Sequence, residues 1–173
     1  MIVPTSAGGN LRGIINGFED LLRAGLTDRL PRFICAQAAN CCPMARAFAE
    51  GWTKIQRFEA LETIAHAIDN PYPPSGNRIV AELRRLGGWA LTAVEEEIVK
   101  AQADMARHGL FGQPASCVPL AVLRAARKQG VVKEGESAAL VMTGSGLKYT
   151  TAFASHKLSW QDCDIADLPR KLK

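Results

Sequence analysis

Short apolar runs alternate along this chain with amphipathic helical stripes, and glycine or proline marks nearly every change of period. Few folds satisfy that alternation. Arg32-Phe33-Ile34-Cys35-Ala36 reads as a buried strand, because a strand covered on both faces is apolar throughout. Before it, Leu11, Ile14, Ile15, Phe18, Leu21 and Leu22 recur at three- and four-residue spacing and predict a helix with one apolar face. Gly13 and Gly17 are placed to let that helix approach a sheet, and Gly25 to stop it. Further helices are expected at 43–49, along Ile79, Val80, Leu83 and Leu86, and from about Cys117 to Gln129. Thr92 and Glu95 have capping-box spacing ahead of another that runs through Met105 to Gly109. Strands are expected at Val3, at Trp89-Ala90-Leu91 and, as a buried strand, at Ala138-Ala139-Leu140-Val141-Met142. Ile64 to Ile68 reads as a helical turn, and the proline-rich stretch 70–76 as a loop. Strands alternating with helices predict an α/β protein, a mostly parallel sheet with flanking helices.

Composition fits such a domain. The 173 residues suit one domain, and 47% hydrophobic with 22% charged is the balance of a globular protein rather than a disordered one. The net charge of +4 is mild and its basic residues are scattered, so no nucleic-acid partner is expected. Arg170, Lys171 and Lys173 read as a solvated terminus. No apolar run has the length of a membrane span. Met1-Ile2-Val3 passes directly into Pro4 without the pattern of a leader, and a cytoplasmic location is expected. The five cysteines include no CxxC, so Cys35, Cys41 and Cys42 read as buried thiols rather than a metal site. His66, His108 and His156 have no partner set by spacing, and Arg84, Arg85, Arg124, Arg127 and Lys128 read as solvated helix faces.

Two glycine-rich loops follow expected strands, where parallel sheets bind ligands. Thr5-Ser6-Ala7-Gly8-Gly9-Asn10 leads into a helix. Unpaired N–H groups and the helix dipole favour an anion there, and glycine lets the backbone wrap it. The loop is neither a Walker loop nor GxGxxG, and from its residues alone a plain tight turn stays open. Thr143-Gly144-Ser145-Gly146-Leu147-Lys148 also reads, by itself, as a turn after a core strand.

Taken in order, the segments are far more specific. Val3-Pro4 with its glycine loop and Asn10-Leu11-Arg12-Gly13-Ile14 resembles the phosphate loop and following helix of the threonine synthase family. Leu30-Pro31-Arg32-Phe33 to Gln37-Ala38, Thr63-Ile64-Ala65 to Asn70-Pro71, Gly87-Gly88, Glu96-Glu97-Ile98 and Ala101-Gln102 follow in that family's order. Gln113-Pro114-Ala115-Ser116 resembles its Glu-Pro-Ala/Ser-Ser, and Val141 to Lys148 its Leu-Thr-Gly-His-Gly-Leu-Lys. The resemblance covers about residues 2 to 150.

That resemblance implies the C-terminal part of a fold type II pyridoxal-phosphate enzyme. It implies residues 1–150 as part of the catalytic domain and 151–173 as an extension. It implies pyridoxal 5'-phosphate as cofactor, with its phosphate cradled by Ser6, Ala7, Gly8, Gly9 and Asn10 and its ring nitrogen facing Thr143. The implied reaction converts O-phosphohomoserine, a small phosphorylated amino acid, and water to threonine and phosphate. Ser145 stands where the family has histidine, Gln113 where it has glutamate, and Tyr149-Thr150 where it has Asp-Pro. No lysine has the Lys-Asp-Arg context of the family's Schiff-base lysine: not Lys54, Lys100, Lys128, Lys133, Lys148, Lys157, Lys171 or Lys173. The chain alone is therefore expected to be inactive, and to pair with an N-terminal segment or with itself. The alternatives are a cysteate synthase, threonine dehydratase or diaminopropionate lyase on the same scaffold, or a folded, non-catalytic remnant.

Overall fold

A computed structural model describes residues 1–149 and 162–171. Three parallel strands, β1 (Ile2–Pro4), β2 (Ile34–Ala38) and β3 (Trp89–Ala93), lie side by side in chain order. Ile2 pairs with Ile34, and Ile34 with Trp89. β2 is buried along its whole length, as its apolar run requires. Successive side chains point to opposite faces, so the sheet builds two cores. Val3, Phe33, Cys35 and Ala90 pack with α1 (Gly9–Arg23), α2 (Pro43–Ala49) and α3 (Gly76–Arg85). Ile2, Ile34, Ala36, Ala38 and Ala93 pack with α4 (Glu95–Arg107) and α5 (Pro114–Lys128). A short terminal helix, α6, spans Leu168–Lys171.

The chain therefore crosses from β1 to β3 with its helices on one face. It then returns along the other face to the free side of β1. There Leu140 forms a single parallel bridge with Ile2, and the Ile2 N–H donates to the Ala139 carbonyl at 2.9 Å. The sheet's direction of growth reverses between β1 and this segment.

The helix stops expected at Gly25 and Gly109 hold, and three further glycines act in the same way. Gly25, Gly51, Gly87, Gly109 and Gly130 all follow helices with positive φ. Other expectations change. Residues 138–142 form no buried strand: Ala138, Ala139 and Met142 are exposed, because nothing described covers their outer side. Thr92 belongs to β3 and caps nothing. Glu95 instead accepts from the Thr63 hydroxyl at 2.7 Å and from the Ile64 N–H at 2.8 Å, pinning the irregular middle segment to the sheet. α5 starts at Pro114, three residues early, which leaves Pro119 inside it. Arg84 is not simply solvated: it donates to the carbonyls of Trp52 and Ala47, tying α3 to the end of α2. Arg124 likewise pairs with Asp104 at 2.7 Å, holding α5 to α4 and drawing that carboxyl below its usual range. His156, Lys157, Lys173 and most of the expected extension lie outside the described residues.

Gly13 and Gly17 are exposed and make no close approach to the sheet. Gly88 makes one, since a Cβ there would lie 2.5 Å from the Phe33 carbonyl oxygen and 2.9 Å from a Leu83 methyl. Opposite outcomes are expected. Gly88→Ala costs about 1–3 kcal/mol by overpacking. Gly13→Ala, on an open helix face, stabilises by about 0.5–1 kcal/mol. Urea unfolding of both variants checks the pair, and equal midpoints would refute the packing described for Gly88.

Candidate functional site

The reversal at β1 opens a crevice at the carboxyl ends of the strands, and both glycine loops enter it. Ser6, Ala7, Gly8, Gly9 and Asn10 line one cavity of about 380 Å³ together with Gln113 and Thr143. Ala67 and Ile68 close another side. All six residues singled out from sequence thus meet in one place, although Thr143 lies more than a hundred residues from the first loop. Ser145 and Lys148 do not line this cavity.

The first loop is rigidly rooted. Buried Thr5 donates its N–H to the Ala36 carbonyl at 2.9 Å and its hydroxyl to the Val3 carbonyl at 2.8 Å. Gly8 then turns with φ 95° to become the N-cap of α1. Only glycine enters that region without strain, and a Cβ there would lie 2.9 Å from the Ser75 Cβ. The Ser75 N–H donates to the Ala7 carbonyl at 3.2 Å, so the start of α3 braces the loop. Buried Gln37 supports it from below. Its amide accepts from the N–H groups of Met44 and Ala45 at 3.0 Å each and donates to the Thr5 carbonyl at 3.4 Å.

The mouth of α1 has spare donors. The Arg12 N–H takes the Gly8 carbonyl, while the N–H groups from Ser6 to Leu11 bond nothing among the described residues. A Cβ on Gly9 would point into open space beside them. No acidic residue lies in the first turn of α1, and among the described residues no charged side chain lines the cavity. The cavity can therefore hold an anion through backbone donors and the helix dipole alone. An orthophosphate-sized group fits that donor set.

The second loop is anchored on the start of α5. The Gln113 N–H donates to the Gly144 carbonyl at 3.0 Å, and the Gly146 N–H to the Phe111 carbonyl at 2.9 Å. A Cβ on Gly146 would strike the Phe111 ring at 2.5 Å. Ser116 joins helix and loop: its hydroxyl oxygen accepts from the N–H groups of Thr143 at 3.2 Å and Gly144 at 2.8 Å. Its signal in the sequence was its place in the Gln-Pro-Ala-Ser motif, as that of Gln37 was its place in the segment ending Gln37-Ala38; Ser75 had no comparable signal. Tyr149 stacks on His66 at 5.4 Å between ring centroids, linking this loop to the middle segment.

Other reactive groups lie elsewhere. Burial pushes the thiols of Cys35, Cys41 and Cys117 up to about 12, so they stay protonated near neutrality. Among the described residues no group of His, Cys, Asp or Glu is placed to hold a metal ion. No described helix is long and apolar enough to cross a membrane.

The sequence profile of the family described as "Pyridoxal-phosphate dependent enzyme" matches residues 1–144. The chain belongs to this family. Within the pyridoxal-phosphate dependent enzymes it is 34% identical to "Threonine synthase 2, chloroplastic" of Arabidopsis thaliana, over all of this chain and 34% of that protein. It is also 34% identical to the threonine synthase of Methanocaldococcus jannaschii, over all of this chain and 44% of that one. The chain thus spans less than half the length of these relatives. Among solved structures, threonine synthase from Escherichia coli matches with a TM-score of 0.65 at 20% identity, over 94% of this chain and 36% of that one. Maize serine racemase matches with a TM-score of 0.65 at 21% identity, over 90% and 45%. These likenesses show the shared fold, and pyridoxal phosphate is the family's cofactor.

Gly9→Val places a branched side chain in front of the free donors at the start of α1, at a position with room for it. The expected result is at least a tenfold loss of inorganic phosphate affinity by titration calorimetry, with melting temperature little changed. Equal affinity in the two proteins would remove the anion from this cavity.

Proposed function

We propose that this chain supplies the phosphate cradle and the ring-nitrogen contact of a pyridoxal-phosphate enzyme with threonine synthase activity, acting on O-phosphohomoserine. One observation supports this above the rest. The two loops that carry the family resemblance line a single cavity, with spare backbone donors on one side and the Thr143 hydroxyl on another.

In this reading the backbone from Ser6 to Asn10 holds the cofactor phosphate at the positive end of α1. The Thr143 hydroxyl donates to the ring nitrogen. A hydroxyl can bond that nitrogen in its neutral form but cannot stabilise a protonated one as a carboxylate would. Gln113, a neutral amide, keeps carboxylate charge away from the bound anion. Ala67 and Ile68 shield the ring from water. Once bound, pyridoxal phosphate supplies an electron sink for the substrate carbon under reaction.

No described lysine lines the cavity. The reactive amine in this proposal comes from a segment outside this chain, and the 173 residues alone are inactive. The substrate of the whole enzyme is a small phosphorylated amino acid, and its compartment is the cytoplasm. A second reading, favoured by Ser145 and Gln113 where the threonine synthase motifs have histidine and glutamate, is a related enzyme acting on another amino acid.

Treatment of the chain with pyridoxal phosphate and borohydride is expected to give only scattered, substoichiometric labelling of lysines, read by peptide mapping. A single stoichiometric pyridoxyl-lysine would contradict the proposal. Recombined with the upstream segment of its own gene, the chain should release phosphate from O-phosphohomoserine and form threonine. Release of ammonia from threonine instead would favour the second reading. In that pair Thr143→Ala should lower turnover about tenfold and cofactor affinity only about threefold, the scale of one hydrogen bond. Unchanged turnover would mean that the ring's partner lies elsewhere.

A further inference from the structure

We infer that Ser116 is a positioning residue that fixes the Thr143 hydroxyl as a hydrogen-bond donor into the cavity. The inference rests on the reading of Thr143 as partner of the cofactor ring nitrogen, and it concerns how this chain sets the direction of that bond.

A serine hydroxyl has one proton to donate and two lone pairs with which to accept. At Ser116 both lone pairs are engaged, by the N–H groups of Thr143 at 3.2 Å and Gly144 at 2.8 Å. Backbone N–H groups can only donate, so neither bond can reverse. The remaining polar neighbour of the Ser116 oxygen among the described residues is the Thr143 hydroxyl oxygen at 3.1 Å. Ser116 is only 2% exposed, so water does not reach its proton readily.

The proton of Ser116 therefore points to the Thr143 oxygen. The reverse assignment would crowd three donors onto one oxygen and leave a buried hydroxyl proton with no acceptor, which folded proteins avoid. With one lone pair of Thr143 occupied by Ser116, its own proton turns away from Ser116. Thr143 is exposed and lines the cavity, so that proton is presented there. Without Ser116 the Thr143 hydroxyl would rotate freely and could present a lone pair as readily as a proton. A neutral ring nitrogen accepts from a donor and is repelled by a lone pair. Ser116 thus selects one of two electrostatic faces of the same side chain, and it also fixes the backbone that carries it.

The test uses two probes that carry no aldehyde and so cannot label lysines: pyridoxine 5'-phosphate and its analogue with C–H in place of the ring nitrogen. Affinities for the full chain are measured by calorimetry. The wild-type chain is expected to prefer the nitrogen probe by about fivefold, the scale of one hydrogen bond. Thr143→Val removes the preference and Thr143→Ser keeps it. Ser116→Ala brings the ratio close to one although Thr143 is intact, and Ser116→Ala with Thr143→Val lowers it no further. A purely structural role for Ser116 predicts that both probes weaken together with the ratio unchanged; that result overturns the inference. If Ser116→Ala shows no cooperative urea transition, Ser116→Cys is read in its place, its thiol being a weaker donor of similar volume. A ratio below half the wild-type value then supports the inference, and an unchanged ratio overturns it. Failure of the underlying reading looks different. The wild-type chain would then bind neither probe, or would bind both equally, and the role of Ser116 would fall with it.

Discussion

A parallel strand can be reached only by a crossover, and crossovers of one hand place their helices on one face while the chain advances in one direction. Here the chain advances from β1 to β3 with α1, α2 and α3 on one face, then must change faces to place α4 and α5. The change returns it to the free side of β1. Loops leaving two neighbouring strands toward opposite faces cannot fill the space between them, and that space is the cavity. The position of the site is therefore a consequence of connectivity. Its chemistry is a consequence of which residues the sequence spends on the two loops.

Those loops divide the work. The first offers backbone donors and a helix dipole without a charged side chain. Such a site binds an anion by geometry, and its preorganisation comes from neighbours: Thr5 bonded across to β2, Gly8 against Ser75, Gln37 under the Thr5 carbonyl. The second offers a single hydroxyl, held by a serine on another element. The two loops are distant in sequence, and each is fixed through helix starts: α1 and the brace from α3 for the first, α5 for the second.

Much of this was legible in the residues. The apolar run at 32–36, the stripe through Leu11 and Ile15 and the glycines after each helix determined the class of fold, because strand and helix periods differ and glycine alone takes positive φ cheaply. What escaped was tertiary. Thr92 and Glu95 have the spacing of a cap, but spacing cannot tell that Thr92 is still paired in β3 or that Glu95 is claimed by Thr63. Ala138 to Met142 is apolar enough for a core strand, yet burial depends on what lies beside it. Gly13 and Gly17 had the spacing for a close approach but face outward, whereas Gly88 carries the tight contact. The glycine loops were ambiguous singly; order along the chain, not local pattern, brought them together, and their meeting in one cavity is visible only in three dimensions.

The lone bridge between Ile2 and Leu140 bears on how the molecule is made. A chain emerging from the ribosome releases β1, β2 and β3 long before residue 140, so the sheet can assemble while one flank of β1 still lacks a neighbour. An open strand flank readily captures other strands. The same late segment that covers this flank also delivers Thr143 to the cavity. Closing this flank of β1 and bringing Thr143 to the cavity are thus one event, and before it a nascent chain lacks that side of the cavity.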